Sequence, residues 1–157
     1  MKKVFAFVLV LSLLLCCAAC GDANNNAAGG NIEGSLTDLL AQVTKDATDP
    51  EMALIEVEVT PDMFSWYLFI DPIDGAEAVV SEPMIGSIPH SVVLLRVPEN
   101  KDAEAVRGEI EEKLDPRKWV CVEAEKTAVL RRGDLILMVM SDTETADKVI
   151  SNFSALS

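Results

Sequence analysis

Few residues in this chain have the types and spacing that chemistry needs. His90 is its only histidine, set between Pro89 and Ser91. A Ser-His-Asp hydrolase would use it with one of the serines, yet no Gly-x-Ser-x-Gly elbow occurs, and the turn chemistry around it points to a solvated structural histidine. Structural zinc takes about four nitrogen or sulfur ligands, more than one histidine and one spare thiol supply. Neither a phosphate-binding Gly-x-x-x-x-Gly-Lys loop nor a Gly-x-Gly-x-x-Gly turn is present. Asp71, Asp74 and Glu77 offer oxygens, but they lack the spacing of a calcium loop. Among 26 acidic residues nothing singles out a pair for glycoside hydrolysis. No catalytic, cofactor-binding or metal-ligating residue is assigned. The densest aromatic cluster, Met63, Trp66, Tyr67 and Ile70, has the spacing of one helix face. Trp66 and Tyr67 are the candidate ligand patch, a stacking platform for a sugar or ring, against the commoner use of such a stripe in core packing.

The residue whose setting implies the most definite chemistry is Cys20. Lys2 and Lys3 give a positive start, and Val4 to Leu15 is a run of twelve residues broken only by Ser12. Ala18 and Ala19 then stand before Cys20, with Gly21 and Asp22 after it. This is the order of an export signal, and it is shorter than the roughly 20 apolar residues that span a bilayer. Its end resembles the lipobox of bacterial lipoproteins, in which the cysteine thiol receives a diacylglyceryl group and the chain is cut just before it. Cys17 stands where leucine is usual. The resemblance implies lipidation at Cys20 with palmitate-type acyl chains and a position outside the cytoplasm, on the cell membrane. Acyl chains contribute about 0.8 kcal/mol per buried methylene, so two or more hold a protein at a membrane surface for long times.

The expected organisation is a signal peptide over 1–19, a lipidated cysteine and flexible linker over 20–34, and a single domain over 35–157. Removing Lys2 and Lys3 with the signal leaves 26 acidic against 11 basic residues, a net charge of −15. Nucleic acid and anionic headgroups call for basic patches, so nucleic-acid binding is excluded as a function class, and solubility or a cationic partner accounts for the charge. Cys16 and Cys17 leave with the signal. Only Cys121 remains as a free thiol, too few for an internal disulfide, and its place between Val120 and Val122 suggests a small buried residue.

The elements that must position these groups follow from periodicity. Ser35 reads as a helix cap ahead of Leu36, Leu39, Leu40 and Val43, and Pro50 closes that segment. Ala53 to Val59 alternates as a strand with its glutamates outward. Thr60-Pro61 reads as a helix start, and Asp71 to Gly75 as a turn. Ala76 to Met84 and Ser91 to Val97 are expected strands, followed by a helix with Ala103, Val106, Ile110 and Leu114 on its apolar face. Trp119 to Val122 reads as a strand start or a core plug. Thr127 to Leu130 and the wholly apolar Leu135 to Met140 form a hairpin through Gly133, the second belonging mid-sheet. Ser141 with Glu144 fits a capping box before the last helix.

Shifting Leu94–Val106 by 43 positions lays it without gaps on Leu137–Val149. Two strand-strand-helix units in series predict an α+β domain, an antiparallel sheet of four to five strands covered by helices on one face. Ser91 to Leu156 also resembles the uncharacterised domain of many lipoproteins of clostridia and their relatives. The strand Val92 to Val97, the stretch Asn100-Lys101-Asp102-Ala103-Glu104-Ala105-Val106 and the run Gly133 to Asp142 carry that resemblance. Asp134 stands where that family usually has an aromatic. The family has no established activity, so the resemblance implies no site residue. The leading expectation is a lipid-anchored, non-catalytic binding module with a protein or cell-wall partner. A small envelope hydrolase using carboxylates or His90, and a small ligand-capturing lipoprotein, are the alternatives.

Overall fold

A computed structural model describes residues 30–157. The signal, Cys20 and most of the linker lie outside the described residues. Five strands form one sheet: β1 (Leu54–Glu58), β2 (Glu77–Pro83), β3 (Ser91–Arg96), β4 (Lys126–Arg132) and β5 (Leu135–Ser141). Their order is β1-β2-β3-β5-β4, and every neighbouring pair is antiparallel. The helices are α1 (Leu36–Thr44), the one-turn α2 (Phe64–Tyr67) entered through a 3-10 turn at Pro61–Met63, α3 (Ala103–Lys113) and α4 (Thr143–Ala155). The α+β class, the strand count and the interior place of β5 are as the sequence predicts.

The helices cover both faces of the sheet, where one face was expected. β3 and β5 carry apolar side chains at consecutive positions, and a strand alternates its side chains between faces, so both faces need a cover. On the first face Val80, Val93, Leu95, Ile136 and Met138 pack with Val106 and Ile110 of α3 and with Phe64, Leu68 and Ile70. On the second face Val79, Val92, Leu94, Leu137 and Val139 pack under Leu39, Leu40 and Val43 of α1 and Ala146, Val149 and Phe153 of α4. The internal repeat is real in the strands, since Leu94 lies directly opposite Leu137 across the β3–β5 pair. It stops at the helices. Six residues separate β3 from α3 and only one separates β5 from α4, which sends the two helices to opposite faces.

Local chemistry sets the helix starts. Asp38 N–H bonds the Ser35 hydroxyl 3.1 Å away, the expected cap. At α4 the cap is Asp142, which accepts from Thr145 N–H at 2.9 Å, in place of the expected Ser141–Glu144 box. Ser141 is still in the strand and turns its hydroxyl to Asp142. Packing also begins ahead of Ser35, because Ile32 is buried in the second core.

The sheet has two unlike ends. At the near end the incoming chain is held down: Arg96 donates to the carbonyls of Ile32 and Gly34, both at 3.0 Å, and pairs with Asp134 at 3.5 Å. Gly133 sits at φ +59, and a Cβ there would meet the Gly30 carbonyl oxygen at 2.9 Å. Arg132 donates to the carbonyls of Phe153 and Leu156 at the end of α4. The far end, where β2 and β5 finish and β3 begins, gathers buried polar groups.

Candidate functional site

The far end holds two polar networks, split between faces by the alternation of the strands. The first lies beside Met140 on the α3 face and centres on Lys118, in the loop between α3 and β4. Its ammonium group sits 5.0 Å from the Tyr67 ring centroid, 5.1 Å from that of Trp119 and 5.6 Å from that of Trp66. Nζ donates to the Ser91 hydroxyl at 3.1 Å. Tyr67 donates its phenolic proton to Glu82 of β2. Burial pushes the lysine down to about 8 against the opposing pull of the Glu82 carboxylate. Burial and the Glu82 bond together raise the tyrosine well above its ordinary value. A lysine ringed by three aromatic faces is a cation held by their quadrupoles, and it fixes the loop over the sheet end.

The second network lies toward α4. His90 Nδ1 is 2.9 Å from the Ser141 hydroxyl, which in turn is 3.2 Å from Asp142 Oδ2. With the ring N–H donated to Ser141 and the serine proton donated to Asp142, every proton in the row is used and Nε2 is left as a bare lone pair. That atom is buried without a partner among the described residues. Burial pushes the imidazole down to about 4, the Asp142 charge opposing it, so the ring is neutral at physiological pH. For Asp142, burial works upward, but the bonds from Thr145 and Ser141 outweigh it and hold the carboxyl below its usual range.

This row has the members of a hydrolase triad in the wrong order. A working triad sets the imidazole between the carboxylate and the hydroxyl so that it takes the serine proton. Here the serine stands between the other two and its proton goes to the aspartate. His90 and Ser141 are each 1% exposed. The geometry suits a buried structural bridge between β5 and the turn before β3.

The residues singled out from sequence are dispersed. Trp66 is 52% exposed, and Tyr67 is buried at 8%, so the candidate patch is one ring wide on the surface. The expected stripe of one helix face divides because α2 is a single turn, with Phe64 and Tyr67 as its buried pair. His90 is buried, against the expectation of a solvated turn residue, because Ser141 reaches it across the end of the sheet. Cys121 is exposed, against the expectation of burial, since residues 119–123 form a loop with no strand partner. Its neighbour Val120 is fully exposed and Trp119 fills the core margin, so that stretch plugs the core through one side chain. Asp71, Asp74 and Glu77 make no metal-binding group among the described residues. Sequence patterns do not single out Lys118, Ser91 or Glu82, although Arg117-Lys118-Trp119, basic beside aromatic, is a signal for the first.

Among the described residues the exposed large apolar side chains besides Trp66 are Ile55, Met84, Ile85 and Val120. Met84 and Ile85 follow the end of β2, and Ile55 lies opposite Glu82, so these three and Trp66 share the far end. No family model, curated protein or solved structure matches this chain.

Proposed function

We propose that the protein is a lipid-anchored, extracytoplasmic recognition module, tethered through Cys20 and binding a protein or cell-wall component with the far end of its sheet. The observation that carries this reading is the position of Trp66. It is half-exposed, braced by Lys118, and set at the end of the sheet opposite to the one where residues 32–34 join the domain. Exposed apolar groups are ordinary when scattered, whereas several at one end rimmed by polar residues mark a contact surface. Among the described residues no helix is long and apolar enough to cross a membrane. The signal and lipobox-like residues ahead of them supply the anchor in this reading.

The alternative reading as a hydrolase draws on the short His90–Ser141 contact. The order of its groups argues against it. A photo-crosslinking residue placed at Trp66 in intact cells tests the proposal, with one at exposed Lys101, beyond the near end of β3, as the control. A defined product from position 66 alone, lost when Cys20→Ala releases the protein from the membrane fraction, is the expected result. Equal labelling from both positions, or unchanged membrane retention of Cys20→Ala, would overturn it.

A further inference from the structure

β1 is an edge strand, paired with β2 on one side and with no described backbone on the other. Its register fixes which groups are free. Val59 N–H bonds the Ala78 carbonyl at 2.9 Å and Met84 N–H bonds the Ala53 carbonyl at 3.2 Å, so the odd-numbered residues turn their backbone groups toward β2. Antiparallel pairing alternates, and the N–H and C=O of Leu54, Glu56 and Glu58 therefore face the open side. An open row of this kind is a template for another strand.

The side chains say what that strand should carry. Glu58 lies opposite Val79 and Glu56 opposite Ser81, which places both carboxylates on the α1 face. α1 covers β2 and β3 on that face and leaves β1 open. The result is a groove of about 380 Å³ lined by Leu36, Thr37, Glu56, Glu58, Glu77 and Val79. None of the three glutamates is ion-paired among the described residues. On the other face of β1, Ile55 is 37% exposed and Val57 packs at the margin of the first core.

We infer that the β1 edge takes up an extended basic peptide segment as a sixth, antiparallel strand, in which two lysine or arginine residues flank one apolar residue. Directly opposed residues of an antiparallel pair share a face. The two basic side chains therefore lie over Glu58 and Glu56 and reach the groove, while the residue between them covers Val57. Strand addition takes its affinity from backbone bonds and its selectivity from alternate side chains, as other sheet-edge binders do. A second copy of this chain fits poorly, because β1 against β1 sets glutamate against glutamate. This surface meets the far end only at the start of β1, and the inference does not depend on Trp66 binding anything.

The test uses the full chain in detergent micelles and a capped peptide, Thr-Lys-Val-Lys-Val-Thr. Its control, Thr-Val-Lys-Lys-Val-Thr, has the same composition but throws one lysine to each face. The expected result is binding at least tenfold tighter for the first peptide, with amide NMR shifts at Leu54, Glu56 and Glu58. Methylating the two lysine backbone nitrogens should abolish it. The double change Glu56→Gln with Glu58→Gln, at exposed positions where the fold is retained, should weaken it at least tenfold. Equal binding of the two peptides would reduce the effect to bulk charge and overturn the inference. So would the absence of shifts at the edge, which would leave the glutamates as a guard against self-pairing.

Discussion

The two ends of the sheet use buried polar groups in opposite ways. At the near end the two half-buried arginines have found partners, Arg96 on the carbonyls of Ile32 and Gly34 and Arg132 on the last turn of α4, while one carboxylate oxygen of Asp134 stays unpartnered among the described residues. At the far end Lys118 is wrapped in aromatic rings with one hydroxyl, and His90 keeps a nitrogen with no partner among the described residues. Groups of the first kind add stability, and groups of the second kind cost it. The near end is built to hold the incoming chain. The far end carries a charge and an imidazole whose ionisation burial opposes.

The largest test of that contrast is pH. His90 ionises near 4 in the fold, below the ordinary 6.5, so the unfolded chain binds the extra proton first as pH falls. Its neutral form supports the fold fully above 6.5, and that support drains away between 6.5 and 4. Each tenfold difference in proton affinity between the folded and unfolded chain is worth about 1.4 kcal/mol, so the loss approaches 3 kcal/mol. Urea midpoints across this window should show it, and His90→Gln should flatten the slope; an equal slope in that variant would remove His90 as the source.

The near end is tested by Gly133→Ala. A left-handed φ costs an alanine about 1 to 2 kcal/mol, and contact with the Gly30 backbone adds to it, so a loss of about 2 kcal/mol is expected in denaturant unfolding. A loss below about 0.5 kcal/mol, the usual scatter of surface changes, would mean that residues 30–31 do not press on the hairpin.

The smallest mutational effect, at Lys118, has the opposite sign to that of Gly133→Ala. Lys118 titrates near 8 in the fold and at the ordinary 10.5 when unfolded, so stability should rise with pH between those values. Lys118→Met should be neutral or stabilising by about 1 kcal/mol at pH 7 and should lose that rise, as replacement of a buried charge by an apolar side chain often is. A clear destabilisation would show that the rings bind the ammonium more strongly than burial opposes it, and the contrast between the ends would fail.

Most of the architecture was legible because it rests on local patterns. The unbroken apolar run of β5 announced an interior strand, and Leu94 and Leu137, matched by the internal repeat, face each other in the register. Coverage of both faces was implicit in the same runs, since four consecutive apolar residues from Val92 to Leu95 cannot all point one way. The far-end networks were illegible for a different reason. His90 and Ser141 are 51 positions apart, and Lys118 and Ser91 are 27 apart. No periodicity links a loop lysine to a strand serine. Only the pairing of β3 with β5 and the path of the loop bring them together. The open β1 edge was half-legible: the alternating glutamates showed a solvated face, but a strand's place at the margin of a sheet is decided by all the other strands.

The grip of Arg96 on residues 32 and 34 also has a mechanical side. Any pull arriving through the chain ahead of Ile32 meets β3, which is laced to β2 and β5 along its length, before it reaches an outer strand. Drag is thus delivered to a strand braced on both sides, and not to a margin of the sheet.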